Sequence, residues 1–370
     1  MKFDVIIIGA GIAGGSAAAS VSNDLRVVLL EAEDVAGYHT TGRSAAMWLQ
    51  NYGPRAVRTL SRLSRRFFEA PPAGFTEVPL MRRRPVLFLG AAERPDELPA
   101  LMAAGDGLRQ ITLSEARAMV PALRLHYAHA AALEPEAFDM DVHAIHQGYL
   151  RQLRRNGGLL ALRSRTGRIE RLAGDWHVET SAGTTFHAPT LVNAAGAWGD
   201  EVAVLAGVAP LGLRPLRRTA VVIDPTPWQV EDWPMIVDAG RNWYARTEAR
   251  TRLLVTPEDA TPSYPHDVQP EEIDIAEGIH RMSEALAIDV RRVERSWAGL
   301  RTFTPDGSLA IGWDPGPAGF FWCVGQGGYG IQSSPAAGQL VADLILGRDP
   351  GEAEPILSLM DPARFNIPSR

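Results

Sequence analysis

Lysine is almost missing from this chain. Lys2 is the only one among 370 residues, and every other basic side chain with a fixed charge is arginine. That excludes lysine chemistry, including Schiff bases and a Walker-type phosphate lysine. Cysteine is equally scarce. With Cys323 alone, no internal disulfide can form and the usage fits a reducing compartment, so a cytoplasmic protein is expected, with association at a membrane surface left open. Long apolar runs are also lacking, apart from Val5 to Val21. That stretch follows Asp4, holds four glycines and leads into a charged strand end, so it reads as nucleotide-binding and not as a signal peptide or a membrane span. A formal charge of −6 argues against nucleic acid as a partner. No metal site is expected. The length makes two domains the default, and 46% apolar residues is ordinary for a soluble globular protein.

What is present organises itself around the N-terminus. Val5-Ile6-Ile7-Ile8 is a β-branched run suited to a strand buried on both faces, and Gly9-x-Gly11-x-x-Gly14 follows without a gap. Gly9 permits the tight turn, Gly11 lets backbone approach a pyrophosphate, and Gly14 allows helix to pack on strand. Small residues from Gly15 to Ala19 then suit a helix lying flat on a sheet, its N-terminus offering free N–H groups to phosphate. The second strand, Arg26 to Leu30, ends on Glu31, near the spacing of a ribose-binding carboxylate. Strand, turn, helix, strand and acid in register point to a dinucleotide.

Further along, Gly37-Tyr38-His39-Thr40-Thr41-Gly42-Arg43-Ser44-Ala45-Ala46 is a polar loop suited to phosphate. Helices are expected over Pro54 to Phe68, Ser114 to Met119, Asp141 to Asn156 and Ile273 to Leu286. Strands are expected at Val86 to Leu89, Leu159 to Leu162, Arg168 to Leu172, Trp176 to Thr180 and Thr185 to His187. Thr190 to Trp198 reads as the first sheet returning. From Arg214 to about Arg295 the alternation predicts an antiparallel sheet, with strands at Thr219–Ile223, Trp243–Arg246 and Arg252–Thr256. Arg82-Arg83-Arg84 reads as a solvated basic cluster. The chain closes with strand Phe320–Val324, the turn Gly325 to Gln332 and a small-residue helix to about Leu346; this second glycine turn is another dipole-rich site.

These segments, with Trp297-Ala298-Gly299-Leu300-Arg301, resemble the flavin-dependent D-amino acid oxidase superfamily, which includes glycine and sarcosine oxidases. Within it the resemblance is greatest to D-amino acid dehydrogenases of the D-arginine dehydrogenase type, and it runs nearly end to end. It implies an α/β fold with a discontinuous Rossmann-like FAD-binding domain (residues 1–50, 141–212 and 296–370). The other domain, for substrate, is α+β with a mainly antiparallel sheet (51–140 and 213–295). It implies non-covalent FAD, its adenosine on Glu31 and Ala32 and its phosphates over Gly9, Gly11, Ile12, Ala13 and Gly14. Thr40, Thr41, Gly42, Arg43, Ser44, Ala45, Ala46 and Met47 would contact pyrophosphate and isoalloxazine, with Thr166 beside the adenine. Ala195, Gly196, Gly327, Tyr329, Gly330, Ile331 and Gln332 complete the cofactor set, the last turn lying near the pyrimidine end of the flavin. For the substrate, Arg301 matches the arginine that pairs a carboxylate, with Arg218, Tyr52, Tyr244 and Gly328 around it. An arginine fork suits a carboxylate because two parallel N–H bonds set orientation as well as charge.

Three features qualify the resemblance. Val86 stands where the D-arginine enzyme has a guanidinium-binding glutamate, and Met47 where it has a histidine. A cationic substrate side chain would therefore lose its partner, a loss of several kcal/mol by rough estimate, and an uncharged side chain, apolar or aromatic, is expected. An acidic one becomes possible if the Arg82–Arg84 cluster turns inward. The lysine that promotes reaction with oxygen in sarcosine-oxidase-like members has no counterpart, which favours a dehydrogenase. Where that branch carries its covalent flavin cysteine, this chain has Thr302-Phe303-Thr304, and Cys323 reads as a core residue. The reaction expected from the resemblance is oxidation of the Cα–N bond of a D-amino acid by hydride transfer to flavin N5. The imino acid formed would hydrolyse to a 2-oxo acid and ammonia, and an unidentified acceptor, a quinone or another carrier, would reoxidise the flavin. Two rivals stay open: the same fold acting on an N-methyl or cyclic amino acid or a 2-hydroxy acid, and a flavoprotein subunit or carrier without amine chemistry. His39 and His146 are expected to be structural.

Overall fold

The computed structural model describes residues 1–365. Strand Val5–Ile8 lies between Val27–Leu30 and Thr190–Asn193 and runs parallel to both, with all four of its residues buried. A β-branched run of this kind belongs at the centre of a sheet covered on both faces. The sheet extends to Leu159–Ala161 on one side and Phe320–Val324 on the other, all parallel, and Ala310–Trp313 closes it antiparallel. The return of Thr190–Asn193 to the first sheet is as the sequence predicts. Segments from the start, middle and end of the chain thus build one sheet.

The helix after the first strand, Ile12–Val21, packs against the last, Gly330–Leu346. Small residues permit the approach: a methyl group on Gly338 would stand 2.6 Å from the Ser16 carbonyl oxygen. Helix Val142–Arg155 covers the same face and starts where Asp141 accepts the Ala144 N–H at 2.8 Å. A smaller antiparallel sheet, Thr166–Leu172, Asp175–Thr180 and Thr185–Ala188, packs on the opposite face, where Ile169, Trp176 and Phe186 meet Ile6, Ile8 and Leu30.

The second large sheet has nine strands. Arg214–Ile223 pairs antiparallel along its length with Val293–Phe303, and its C-terminal end also pairs with Arg252–Thr256. The sheet continues through Tyr244–Glu248, Met235–Asp238, Val86–Ala91 and Ala128–Glu134 to Arg109–Ile111. The antiparallel expectation holds except at Met235–Asp238, which runs parallel to Val86–Ala91. Strand Val293–Phe303 runs straight through position 296 and pairs entirely with the second sheet.

Between residues 70 and 136 there is more order than periodicity shows. Strand Ala128–Glu134 and helix Glu97–Ala104 are Ala- and Leu-rich, without strong alternation or helical striping. Neighbouring strands bury most of Ala128–Glu134, while the helix is anchored by Leu98 alone and leaves its other residues at the surface. The short helix Leu113–Met119 is legible because Thr112 and Glu115 form a reciprocal capping box. Among the described residues no helix is long and apolar enough to cross a membrane.

Candidate active site

An elongated cleft separates the two sheets. It contains about 1270 Å³ of space, counting the part open to solvent. A second hollow of about 640 Å³ adjoins it and shares Gly9, Glu31, His39, Ala195 and Trp198 with it. Through these shared residues the two hollows form one continuous groove.

The glycine cradle forms its floor. Gly9 has φ +99°, and a Cβ there would lie 2.6 Å from the Ala194 carbonyl oxygen. A Cβ on Gly14 would lie 1.9 Å from the Gly9 carbonyl oxygen, so helix and turn touch through bare backbone. No side chain caps the helix from Gly11; the Ile12 N–H donates to Thr41 Oγ1 at 2.9 Å instead. Glu31 is buried at the junction of the two hollows, where it accepts the Ala10 N–H (3.0 Å) and the Glu33 N–H (3.1 Å). Each carboxylate oxygen keeps acceptor capacity for a ribose hydroxyl. Burial raises its pKa, and those backbone N–H groups oppose the rise. In the second hollow Thr166 Oγ1 is buried without a partner among the described residues, as is Thr302 Oγ1 beside the main cleft. Unsatisfied buried hydroxyls facing a groove fit a bound polar ligand, so the residues present suit a dinucleotide.

His146 fills the space behind this cradle. Its Nε2–H donates to the Ala10 carbonyl at 2.9 Å, and its ring lies against Gly15 and Gly37. Burial lowers its pKa, the Ala10 contact opposing and His143 adding to the effect. The folded chain thus binds this proton less readily than the unfolded chain. The stabilisation is complete above the ordinary histidine range of about 6.5 and is lost as pH falls through it. Thermal melts should show stability falling from about pH 7 to pH 5, with a smaller fall for His146→Gln; equal slopes would assign the effect elsewhere.

The polar loop is fastened differently from the sequence expectation. Arg43 donates to the Val268 (3.0 Å) and Ala298 (3.1 Å) carbonyls and pairs with Asp267, so its guanidinium clamps the loop to the second sheet. Thr40 Oγ1–H donates to the Leu300 carbonyl at 2.7 Å. Gln332 is tied to Leu49 and Ser61, and Met47 is buried in a short strand opposite Asp139. Gly14, Gly42, Ala46, Met47, Tyr329 and Gln332 stand behind the surface of the groove, Ala32 and Thr166 line the second hollow, and the other expected cofactor residues line the main cleft.

Sheet register assembles the substrate side. Arg218 lies directly opposite Gly299. Because side chains alternate, Arg218 and Arg301 share the face turned to the cleft, with Trp297 and Ala220 beside them. Arg301 makes a single hydrogen bond among the described residues, from NH1 to the Tyr52 hydroxyl at 3.1 Å. Loss of water opposes its charge, but Tyr52, Tyr244 and Glu258 together hold its pKa above the ordinary value. Arg218 Nε–H donates to the Asp259 carbonyl at 2.7 Å, while its NH1 is buried without a hydrogen-bond partner among the described residues. Burial first and Arg301 second push its pKa down; an arginine remains cationic regardless. Tyr244 is buried against the pocket, and Gly328 leaves room where a Cβ would come within 2.5 Å of the Tyr52 hydroxyl. Tyr329 stacks edge-on to Tyr52 at 5.0 Å, with a phenol raised to about 12 chiefly by burial.

Two residues of this cluster have no signal in the sequence reading. Glu258, its side chain 7% exposed, has one carboxylate oxygen 3.5 Å from Arg218 NH1 and 4.0 Å from Arg241 NH1. The Arg241 guanidinium lies over the Tyr52 ring, 4.9 Å from its centroid. Both sit in loops, so no periodicity marks them. The Arg82–Arg84 cluster does not turn into the pocket. Arg82 and Arg83 are exposed, and Arg84 is buried against Asp139 and the Trp233 carbonyl. Its burial corrects the expectation of a solvated cluster, the ion pair with Asp139 offsetting the loss of water. Val86 is fully buried in the cluster that includes Met47, Leu49 and Tyr244.

The fold and groove define a dinucleotide-binding architecture. The chain matches the family described as "DAO: FAD dependent oxidoreductase" over residues 4–344. It belongs to that family, and its cofactor is FAD. Among curated proteins it is 29% identical over 175 residues to a Xenopus laevis "FAD-dependent oxidoreductase domain-containing protein 1", covering 42% of this chain and 34% of that one. It is 30% identical over 172 residues to the glycine oxidase of Geobacillus kaustophilus, covering 46% and 44%. The matches span between a third and a half of these relatives' own length. Among solved structures, that same glycine oxidase superposes with a TM-score of 0.83 at 22% identity, covering 94% of this chain and 95% of the other. The L-alpha-glycerophosphate oxidase of Mycoplasma pneumoniae, a structure with FAD bound, gives 0.84 at 16% identity, covering 94% and 95%.

Proposed function

We propose that the protein oxidises the Cα–N bond of a D-amino acid whose side chain is uncharged. The observation that carries this reading is the pair Arg301 and Arg218, which face the same cleft as the dinucleotide cradle with donors left over. FAD, held by Gly9–Gly14, Glu31 and the Thr166 hollow, supplies an acceptor for the two electrons and the hydrogen leaving Cα. The protein's own work is orientation. Arg301 and Arg218 bind the carboxylate as a fork, Tyr52 fixes the Arg301 guanidinium, and Tyr244 walls the pocket. If the amine binds uncharged, no side chain has to act as a strong base. The imino acid released hydrolyses in water to a 2-oxo acid and ammonia.

The D preference and the likeness to D-arginine dehydrogenase rest on the sequence resemblance. Disfavour of a cationic side chain has structural support: Val86 offers no charge, and Glu134, opposite it in the sheet, and Glu258, beside Arg218, are both engaged. Glu258 faces Arg218 and Arg241, and Glu134 accepts the Gln50 N–H at 2.9 Å. A dehydrogenase is proposed over an oxidase because the one lysine, Lys2, pairs with Asp175 on the small sheet. Non-covalent FAD fits Cys323, which is buried with its thiol raised to about 12, chiefly by burial.

Anaerobic mixing of the purified holoprotein with matched D- and L-amino acids tests the reading. Loss of the oxidised-flavin band with several D-amino acids, with D-arginine among the slowest, is the expected result. Rapid bleaching by D-arginine would remove the charge claim and keep the chemistry. Reduction only by N-methyl or cyclic amino acids, or by 2-hydroxy acids, would move the substrate class. No reduction by any of them would point to a subunit or carrier.

A further inference from the structure

Strand Arg214–Ile223 is paired along the whole of one edge with Val293–Phe303, but its other edge is interrupted. There it pairs with Thr261–Pro262 at Leu216 and Arg217, and with Arg252–Thr256 at Val221 to Ile223. Between these two ladders the chain from Pro257 to Ala260 bows out, and Arg218, Thr219 and Ala220 have no strand partner on that edge among the described residues. A buried N–H in such a gap would go unpaired, at a cost comparable to a lost hydrogen bond. The Asp259 carboxylate takes the place of the missing ladder. Its Oδ1 accepts the Thr219 N–H at 2.7 Å, and its Oδ2 accepts the fully buried Thr219 hydroxyl at 3.1 Å.

The same excursion serves Arg218. With its side chain fastened to Thr219, Asp259 presents its own backbone carbonyl to Arg218 Nε–H at 2.7 Å, and Glu258 places a carboxylate oxygen 3.5 Å from Arg218 NH1. Behind it, Arg281 NH1 donates to the Pro257 carbonyl at 2.8 Å and the Glu258 N–H donates to Thr256 Oγ1 at 3.1 Å. Glu258 takes a left-handed φ of +53°, which residues with a Cβ seldom adopt and which concentrates at ligand sites. Asp274 also stands 3.3 Å from the Thr219 hydroxyl, but it pairs with Arg217 at 2.9 Å on the alternate face of the strand. A bond at Nε sets the plane of a guanidinium, and that plane decides where its remaining N–H groups point.

We infer that Asp259 is a positioning residue for the substrate carboxylate: by bridging the gap at Thr219 it holds its carbonyl against Nε and so orients Arg218 in the cleft. This rests on the reading of Arg301 and Arg218 as the carboxylate site. Asp259 does not itself line the cleft, and it acts through Arg218.

The test is a double-mutant cycle on the FAD-loaded enzyme, read by titration with propionate on the flavin absorption band, with KM and kcat for D-alanine beside it. Asp259→Ala should weaken propionate about tenfold and raise KM by a similar factor, with kcat changed less than about threefold. Asp259→Asn keeps an acceptor for the Thr219 N–H and should stay within about threefold of wild type. In an Arg218→Lys background no Nε–H is left for the carbonyl to hold, so adding Asp259→Ala should weaken propionate by less than about a further twofold. Equal weakening in both backgrounds is what a residue that merely supports the fold would give, and it would overturn the inference. So would wild-type affinity in Asp259→Ala, or an Asp259→Asn variant as weak as Asp259→Ala. Where Asp259→Ala does not fold, Asp259→Glu takes its place in the cycle: its extra methylene keeps the charge and displaces the carbonyl, and the same coupling is expected. Coupling between positions 218 and 259 without turnover of any amino acid would overturn the proposed reaction and leave the positioning role standing. No flavin perturbation by propionate and no reduction by any amino acid would overturn both.

Discussion

Arg301→Gln should reduce kcat/KM by roughly 10²- to 10⁴-fold while the protein stays yellow and folded. The figure follows from removing one member of a half-buried charge pair, typically about 3–5 kcal/mol. The substrate carboxylate would then face Arg218 alone, and Arg218 is constrained by the Asp259 carbonyl and Glu258. Arg301→Lys should recover little, because an ammonium cannot offer two parallel N–H bonds while keeping the Tyr52 contact. Steady-state kinetics beside the flavin spectrum check this. Turnover within about tenfold of wild type would show that the carboxylate binds elsewhere. A colourless Arg301→Gln protein would instead place the residue in the cofactor's support.

Gly14→Ala should have the largest effect on the fold. One added methyl would stand 1.9 Å from the Gly9 carbonyl oxygen, and neither side of that contact is a side chain able to swing away. Gly9 cannot retreat: its N–H donates to the Leu30 carbonyl at 2.8 Å and it already lies close to the Ala194 backbone. The helix would have to lift off the strand it packs on, a cost of about 4 kcal/mol or more, and the phosphate cradle would open with it. The expected product is a destabilised protein purified without flavin. Gly15→Ala is the matched comparison in the same helix. There a Cβ meets His146 and Tyr149 at 3.4 to 3.9 Å, ordinary contact distances, and alanine favours the helix by up to about 1 kcal/mol. That variant should bind FAD and melt no lower than wild type. If both variants behave alike, the close helix–strand contact is not what holds the cradle.

The sequence is most legible where local chemistry and tertiary need coincide. Val5–Ile8 carries its burial in its composition, and the glycines after it are required by backbone contacts that the structure shows at Gly9 and Gly14. The helix caps at Thr112 and Asp141 work over three residues, so they too can be read directly. Arg43 is the instructive contrast. Its neighbours are those of a phosphate loop, yet its guanidinium goes to Val268, Ala298 and Asp267, more than two hundred positions away. Arg82 to Arg84 show the same limit, since the run looks uniform and one member is buried on Asp139 while two remain exposed.

By itself, then, the chain determined the dinucleotide cradle, the absence of lysine chemistry and the α/β core, because each depends on residues close together or on composition. Resemblance added the flavin and the identity of Arg301. Only the tertiary structure decided the charge of the pocket. Arg218 meets Arg301 because strand Arg214–Ile223 pairs in one particular register with Val293–Phe303, and a one-residue slip would turn the two side chains to opposite faces. Glu258 and Arg241 join them from loops whose left-handed residues no periodicity announces. Charges that act across space are set by the packing of distant segments, and a linear sequence holds that packing only through the fold.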